Sequence, residues 1–260
     1  MPRFCANLSM LFTEHDFLDR FDAAAKAGFE GVEYLFPYDY DASEIKAKLD
    51  ANGLTQVLFN LPAGDWAAGE RGIACHPDRI EEFRAGVDRA IAYAKVLGNE
   101  QVNCLAGIQP EGVSASQAED TFVENLRYAA KKLEDAGIRL VMEAINTRDI
   151  PGFFLNNTQQ ALRIRDRVAS DNLTLQYDIY HMQIMEGDIC PTLEAHIGAI
   201  RHMQLADNPG RHEPGTGELN YRFIFGFIDR IGYDGWIGCE YKPATTTEAG
   251  LGWMKEHGLQ

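Results

Sequence analysis

Short apolar runs rich in Leu, Ile, Val and Met recur along the chain at residues 4–8, 31–35, 54–61, 101–105, 138–143, 173–178, 200–204 and 236–240. Runs of this length without polar alternation are those of strands buried on both faces of a parallel sheet. Between and after them lie segments whose apolar residues repeat at helical spacing: 14–27, 43–51, 77–97, 114–136, 158–168, 192–199, 221–231 and 248–257. In the first of these, Phe17, Leu18, Phe21 and Ala24 share one face. Gly28, Gly53, Gly98 and Gly137 each follow a helical stretch and precede an apolar run, where C-terminal caps belong. The eight β-α units predict an α/β fold of the (β/α)8 TIM-barrel kind, with residues 1–260 as a single domain. An open doubly wound sheet would call for a glycine-rich phosphate turn, and neither GxGxxG nor GxxxxGK[ST] occurs.

The last four apolar runs each finish on an oxygen-bearing side chain: Glu143, Asp178, Gln204 and Glu240. Parallel strands end at one face, and barrel active sites are built there from several strand ends. One glutamate at a strand end usually belongs to a salt bridge; four such endings together predict a site. Three carboxylates and an amide oxygen suit a hard divalent cation, Mg²⁺ first and Mn²⁺ as the alternative. An octahedral ion so held keeps two positions for the adjacent oxygens of a 2-hydroxycarbonyl compound, polarising its carbonyl. Glu143 and Glu240, on nonadjacent strands, can flank that compound as an acid/base pair, one taking a proton to give a metal-stabilised cis-enediolate and the other returning it to the next carbon. Which glutamate starts is open, as is a metal-assisted hydride shift.

The net charge of −15 argues against nucleic acid as a partner, since no basic stripe offsets it. A small anionic substrate remains compatible, because local cations can invert the potential inside a pocket; Arg71, Arg211 and Lys242 are the candidates. Two long loops, 62–76 and 206–220, follow the third and seventh strands, where binding residues concentrate. The first brings Trp66, Glu70 and Arg71, the second Arg211. Arg211 is the better clamp for a carboxylate, because a guanidinium binds bidentately. His181, three residues after Asp178 in the same strand-end turn, is placed to touch substrate or to support the carboxylate. Trp66 and Phe36 are candidate pocket walls. Five dispersed cysteines with no CxxC pair read as reduced thiols of a cytoplasmic protein. No signal-peptide core and no apolar run near the ~18 residues of a membrane span is present. A homo-oligomer stays open.

The segments NLPAGDWAAGERGIAC (60–75), QYDIYHMQIMEGD (176–188), QLADNPGRHEPGTGELNY (204–221) and WIGCEYKP (236–243) closely resemble the hydroxypyruvate isomerase family, within the xylose isomerase-like barrels. The likeness runs from ANLSM near the start to TTTEAGLGWM near the end. It implies magnesium on Glu143, Asp178, Gln204 and Glu240, proton transfer by Glu143 and Glu240, and interconversion of hydroxypyruvate with 2-hydroxy-3-oxopropanoate. A carboxylate on that substrate would meet Arg211 or Lys242. The related 2-oxo-tetronate isomerases share ANLSM, FPY, the four ligands and CEYKP; the 60–75 loop, IPGFFL (150–155) and YDIYHMQ look more like the three-carbon enzymes. DNA-repair endonucleases of the same superfamily resemble the chain at the Glu, Asp-x-x-His and Glu positions but need further histidines, and strands three and four end near Asn60 and Asn103. Sugar epimerases of this barrel use the same metal and glutamate pair. A barrel that only binds a small acid would not need that pair.

Overall fold

A computed structural model of the chain describes residues 2–256. Eight parallel strands close on themselves in sequence order: β1 (Arg3–Asn7), β2 (Gly31–Glu33), β3 (Thr55–Asn60), β4 (Gln101–Cys104), β5 (Arg139–Glu143), β6 (Leu173–Asp178), β7 (Ile200–Leu205) and β8 (Trp236–Cys239). Closure is made by β1 against β8, with Arg3 opposite Trp236 and Ala6 opposite Cys239. Closing the sheet leaves no unpaired edge and brings all eight carboxyl ends to one rim.

The helices ring the barrel: α1 (Arg20–Lys26), α2 (Ala42–Asn52), α3 (Ile80–Leu97), α4 (Ala115–Asp135), α5 (Thr158–Val168), α6 (Ile179–Met185), α7 (Ile189–His196), α8 (Tyr221–Arg230), α9 (Thr247–Gly250) and α10 (Gly252–Glu256). The pattern that builds them is clearest in α4. Ser114 and Gln117 form a reciprocal capping box at its start, and Ala118, Phe122, Leu126, Ala129 and Leu133 form its buried stripe. The main apolar core lies between this ring and the strands.

Inside the barrel the side chains change character along the axis. A small apolar cluster of Cys5, Val57, Leu58 and Val141, with Trp236 packed against it, fills one layer. The buried polar residues Asn7, Glu33, Asn103, Gln176, His202 and Gln204 fill the layers toward the carboxyl rim. The barrel interior thus carries polar support for whatever stands on that rim.

Some elements depart from the sequence pattern. The 14–27 segment is helical only from a 3-10 turn at Phe17–Asp19 onward. Glu14 is drawn out of the helix because its carboxylate accepts the Thr247 backbone N–H at 2.7 Å and the Thr247 hydroxyl at 3.2 Å. Helix α6 was not expected, and it begins directly on Asp178. The 192–199 helix starts earlier, at Ile189, and finishes as a 3-10 turn over Ile197–Ala199. The 248–257 helix is split at Leu251, between two glycines that both weaken helix continuity; its expected end at His257 lies outside the described residues. Met1 and residues 258–260 of the expected single domain also lie outside them.

All five cysteines are free thiols. Among the described residues no helix is long and apolar enough to cross a membrane.

Candidate active site

Glu143 ends β5, Asp178 ends β6, Gln204 is the penultimate residue of β7, and Glu240 stands one residue beyond β8. Glu240 keeps strand-like placement, since its N–H donates to the Leu205 carbonyl at 3.1 Å. All four are buried and three, Glu143, Gln204 and Glu240, line a chamber of about 80 Å³ at the carboxyl rim, together with His181, Arg211 and Arg71. A larger crevice of about 310 Å³ opens at the opposite end of the barrel, beside Arg3, Arg201 and Trp236, and contains none of these groups.

The carboxylates crowd one another. Ligand atoms of Glu143, Asp178 and His181 all lie within 4.8 Å of each other. Burial first, then the charges of Glu240 and Asp178, pushes the Glu143 carboxyl well above the usual range. Burial also raises Glu240 to about 8 and Asp178 to about 6, and in both cases Arg211 is the largest opposing influence. Asp178 Oδ1 accepts from the backbone N–H groups of Tyr180 at 2.8 Å and His181 at 3.4 Å, whereas Oδ2 is buried with no hydrogen-bond partner. An unpartnered carboxylate oxygen beside two further carboxyl groups is a donor set that fits a divalent cation.

His181 sits in the first turn of α6, held by Asn146, whose backbone N–H approaches Nδ1 at 3.5 Å and whose side-chain nitrogen lies 2.6 Å from the same atom. Its Nε2 therefore faces the carboxylates, 3.5 Å from Asp178 Oδ2 and 3.8 Å from Glu143 Oε1. Burial, and then Arg211, keeps this imidazole neutral by pulling its pKa well down. A neutral imidazole aimed at two carboxylates can join them as a nitrogen ligand or bind substrate.

Arg211 reaches the cluster from the loop after β7. Its Nη2 donates to Glu240 Oε1 at 2.9 Å and lies 3.9 Å from Asp178 Oδ2. The guanidinium also lies over the Tyr180 ring, 5.0 Å from its centroid. The loop is fastened at Lys242, whose N–H donates to the Arg211 carbonyl at 2.8 Å and whose own carbonyl is 2.7 Å from His212 Nδ1. Lys242 serves through its backbone; its side chain is exposed and does not line the chamber.

In the loop after β3, Arg71 lines the chamber, while its guanidinium stacks on Trp66 at 4.2 Å and donates to the carbonyls of Trp66 and Glu70. Glu70 is turned away from the chamber: its carboxylate accepts the Asp65 N–H and pairs with Arg79. Of the expected substrate-binding set, the fold gathers His181, Arg211 and Arg71 around the carboxylates and leaves the Glu70 and Lys242 side chains outside.

Five supports, Asn60, Asn103, Asn146, Glu33 and Gln176, have no such role in the sequence reading. Asn103 Nδ2 donates to Glu143 Oε2 at 3.1 Å and to Asn60 Oδ1 at 3.1 Å, so the two asparagines at the ends of β3 and β4 brace a carboxylate. Asn146 orients His181, as described. Gln204 is gripped from both sides: its Nε2 donates to Glu33 Oε1 at 2.7 Å and its Oε1 accepts from Gln176 Nε2. Glu33 ends β2, two residues before the apolar run 31–35 does, so the strand-end rule passes over it. Asn103, Asn146 and Gln176 carry no local signal either.

The family model described as a xylose isomerase-like TIM barrel matches residues 21–257. A hydroxypyruvate isomerase of Escherichia coli (strain K12) is 59% identical over 254 residues, covering 98% of each chain. A 2-oxo-tetronate isomerase of Cupriavidus necator is 51% identical over 257 residues, covering 99% of each. A crystal structure described as an AP endonuclease of family 2 from Brucella melitensis superimposes with a TM-score of 0.96 at 49% identity, again covering 99% of each chain.

Proposed function

The chain belongs to the xylose isomerase-like TIM barrel family, and we propose that it is an isomerase that interconverts hydroxypyruvate and 2-hydroxy-3-oxopropanoate by proton transfer between its two rim glutamates. The observation that carries this reading is the meeting of Glu143 and Glu240 with Arg211 in a chamber of only about 80 Å³, with Asp178 beside the same guanidinium. That space suits a three- or four-carbon acid, and the relative at 59% identity bears the name of the three-carbon reaction.

Glu143, Asp178, Gln204 and Glu240 would hold a divalent cation, magnesium in our reading, with His181 Nε2 beside them. When bound, such an ion supplies Lewis-acid polarisation of the substrate carbonyl and lets the crowded carboxyl groups ionise. Arg211 would orient the substrate carboxylate by paired N–H donation, leaving its salt bridge to Glu240 to do so. One glutamate removes a proton from C3, giving a cis-enediolate across C2 and C3. The other delivers a proton to C2, and transfer of the hydroxyl proton from O3 to O2 leaves an aldehyde at C3. Asn103 holds Glu143, whereas Glu240 is released when Arg211 turns to the substrate carboxylate, so the two groups are governed separately. His181, neutral and braced by Asn146, would hydrogen-bond the substrate or the carboxylates.

A four-carbon 2-oxo acid is the second substrate to test, because the relative at 51% identity is a 2-oxo-tetronate isomerase. DNA cleavage is disfavoured. The ends of β3 and β4 carry Asn60 and Asn103, bonded to each other, in place of further metal-binding histidines, and a net charge of −15 repels a phosphate backbone.

The test is proton NMR of hydroxypyruvate with the protein in D₂O, with Mg²⁺ and again with EDTA. Conversion with deuterium incorporated, and dependent on Mg²⁺, is expected. No conversion in either sample would move the assignment to the four-carbon acid, and conversion without deuterium would replace proton exchange by hydride shift.

A further inference from the structure

Beside the chamber runs a groove of about 520 Å³, lined by Phe36, Tyr38, Asp39, Arg89 and Ser9 among others. Leu35 and Trp66 line both spaces, so they form the wall between them. Trp66 carries the bulk of that wall. Its ring packs on Phe36 with centroids 5.1 Å apart, and the Arg71 guanidinium covers it at 4.2 Å.

The loop is built to keep the indole in place. Arg71 Nη1 donates to the Trp66 carbonyl at 3.0 Å, and the Asp65 carboxylate accepts the Ala68 N–H at 3.0 Å. Glu70, anchored on Arg79, closes the turn on the Asp65 N–H. Gly64 makes room for that closure: it has φ +81, and a Cβ there would stand 2.0 Å from Glu70 Oε2. An indole packed against Phe36 and covered by Arg71 on a fastened loop is a fixed partition rather than a swinging flap.

Resting on the isomerase reading, we propose that Trp66 is the specificity-determining residue of this site: it closes the chamber to substrates longer than four carbons, and the groove behind it is a subsite for the distal carbons of longer polyhydroxy 2-oxo acids. The groove has the chemistry for this. Phe36 and Tyr38 offer apolar surface for C–H groups, while Asp39, Ser9 and Arg89 offer acceptors and donors for hydroxyls. Arg89 is itself steadied by its bond to the Tyr38 carbonyl at 2.9 Å and by lying over the Tyr38 ring at 4.7 Å. Loss of the indole joins chamber and groove without touching Glu143, Asp178, Gln204 or Glu240.

The test uses the full chain with Mg²⁺ and a series of 2-oxo-3-hydroxy acids of three to six carbons, from hydroxypyruvate to 2-oxo-gluconate. Trp66→Ala and the milder Trp66→Phe are compared with the unchanged protein by kcat/KM and by calorimetric Kd. For Trp66→Ala we expect the six-carbon to three-carbon ratio of kcat/KM, and of affinity, to rise at least tenfold; Trp66→Phe should shift both ratios the same way by less. Ratios unchanged within twofold in variants that melt cooperatively would overturn the partition. Turnover of no acid by the unchanged protein would overturn the isomerase reading instead, and the affinity ratios would still decide the role of Trp66.

Discussion

Glu33 Oε2 and His202 Nε2 lie 2.7 Å apart at the centre of the barrel, both fully buried. Burial alone would raise the Glu33 carboxyl, but His202, Gln204 and Asn7 together hold it below the usual carboxylate range. The same carboxylate grips the Gln204 amide at 2.7 Å, so a charge in the barrel core sets the orientation of a rim residue. Glu33→Gln should therefore do two things. Removing a buried carboxylate that accepts from His202, Gln204 and Asn7 should destabilise the protein by about 1–3 kcal/mol in denaturant unfolding. Freeing the Gln204 amide to turn should also weaken Mg²⁺ binding, by about 10–100-fold as for other outer supports of metal ligands. Equal Mg²⁺ affinity in a folded Glu33→Gln protein would show that Gln204 is oriented some other way.

Glu143→Gln and Glu240→Gln each keep the shape of the chamber while removing a proton acceptor. Each should lower kcat by about 10²–10⁴-fold. The double variant should lose little more than the worse single one, because groups acting in one sequence are not additive. Steady-state rates with hydroxypyruvate decide this. A single variant that retains more than about a tenth of the activity would remove that glutamate from the proton-transfer pair.

Arg211 is held in the left-handed region, φ +55, with its loop tied to Lys242. That backbone aims the guanidinium at Glu240 and Asp178 rather than at solvent. Arg211→Lys retains the charge but cannot present two parallel N–H groups. Loss of one charge-assisted hydrogen bond to substrate corresponds to about 1.5–3 kcal/mol, so KM for hydroxypyruvate should rise by roughly 10–150-fold. A change confined to kcat, with KM unmoved, would place Arg211 with the proton-transfer groups instead of the substrate carboxylate.

The barrel was legible because buried parallel strands announce themselves as unbroken apolar runs and because Gly53 and Gly98 end helices in a conformation that favours glycine. The rim carboxylates were legible for the same reason, as polar endings of those runs. Helix α6 was hidden because it has no intervening loop: Asp178 is at once the last residue of β6 and the N-cap of α6, its Oδ1 receiving the Tyr180 and His181 N–H groups. The orientation of Glu70 was hidden too, since its partner Arg79 lies nine residues on and faces it only once the loop has folded. Local pattern located the ends of elements; the bracing by Asn103, Asn146 and Gln176 depends on which strands become neighbours.

The crowded carboxyl groups tie stability to pH. Burial raises Glu240 to about 8 and Asp178 to about 6, and raises Glu143 as well, above the ~4 of an unfolded carboxyl group. Between these limits the folded, metal-free protein binds more protons than the unfolded chain, so its stability is full at low pH and falls as pH rises through the folded values. A divalent cation replaces the protons, so its stabilising effect should grow over the same interval. In EDTA the Tm should fall from pH 6 to pH 8 by a few degrees, at about 2–4 °C for each kcal/mol lost. The rise in Tm on adding Mg²⁺ should be larger at pH 8 than at pH 6. Thermal melts at the two pH values, each with EDTA and with Mg²⁺, measure both quantities. A Tm in EDTA that does not fall, together with an equal Mg²⁺ effect at both, would mean that the rim carboxyl groups are already ionised without the metal.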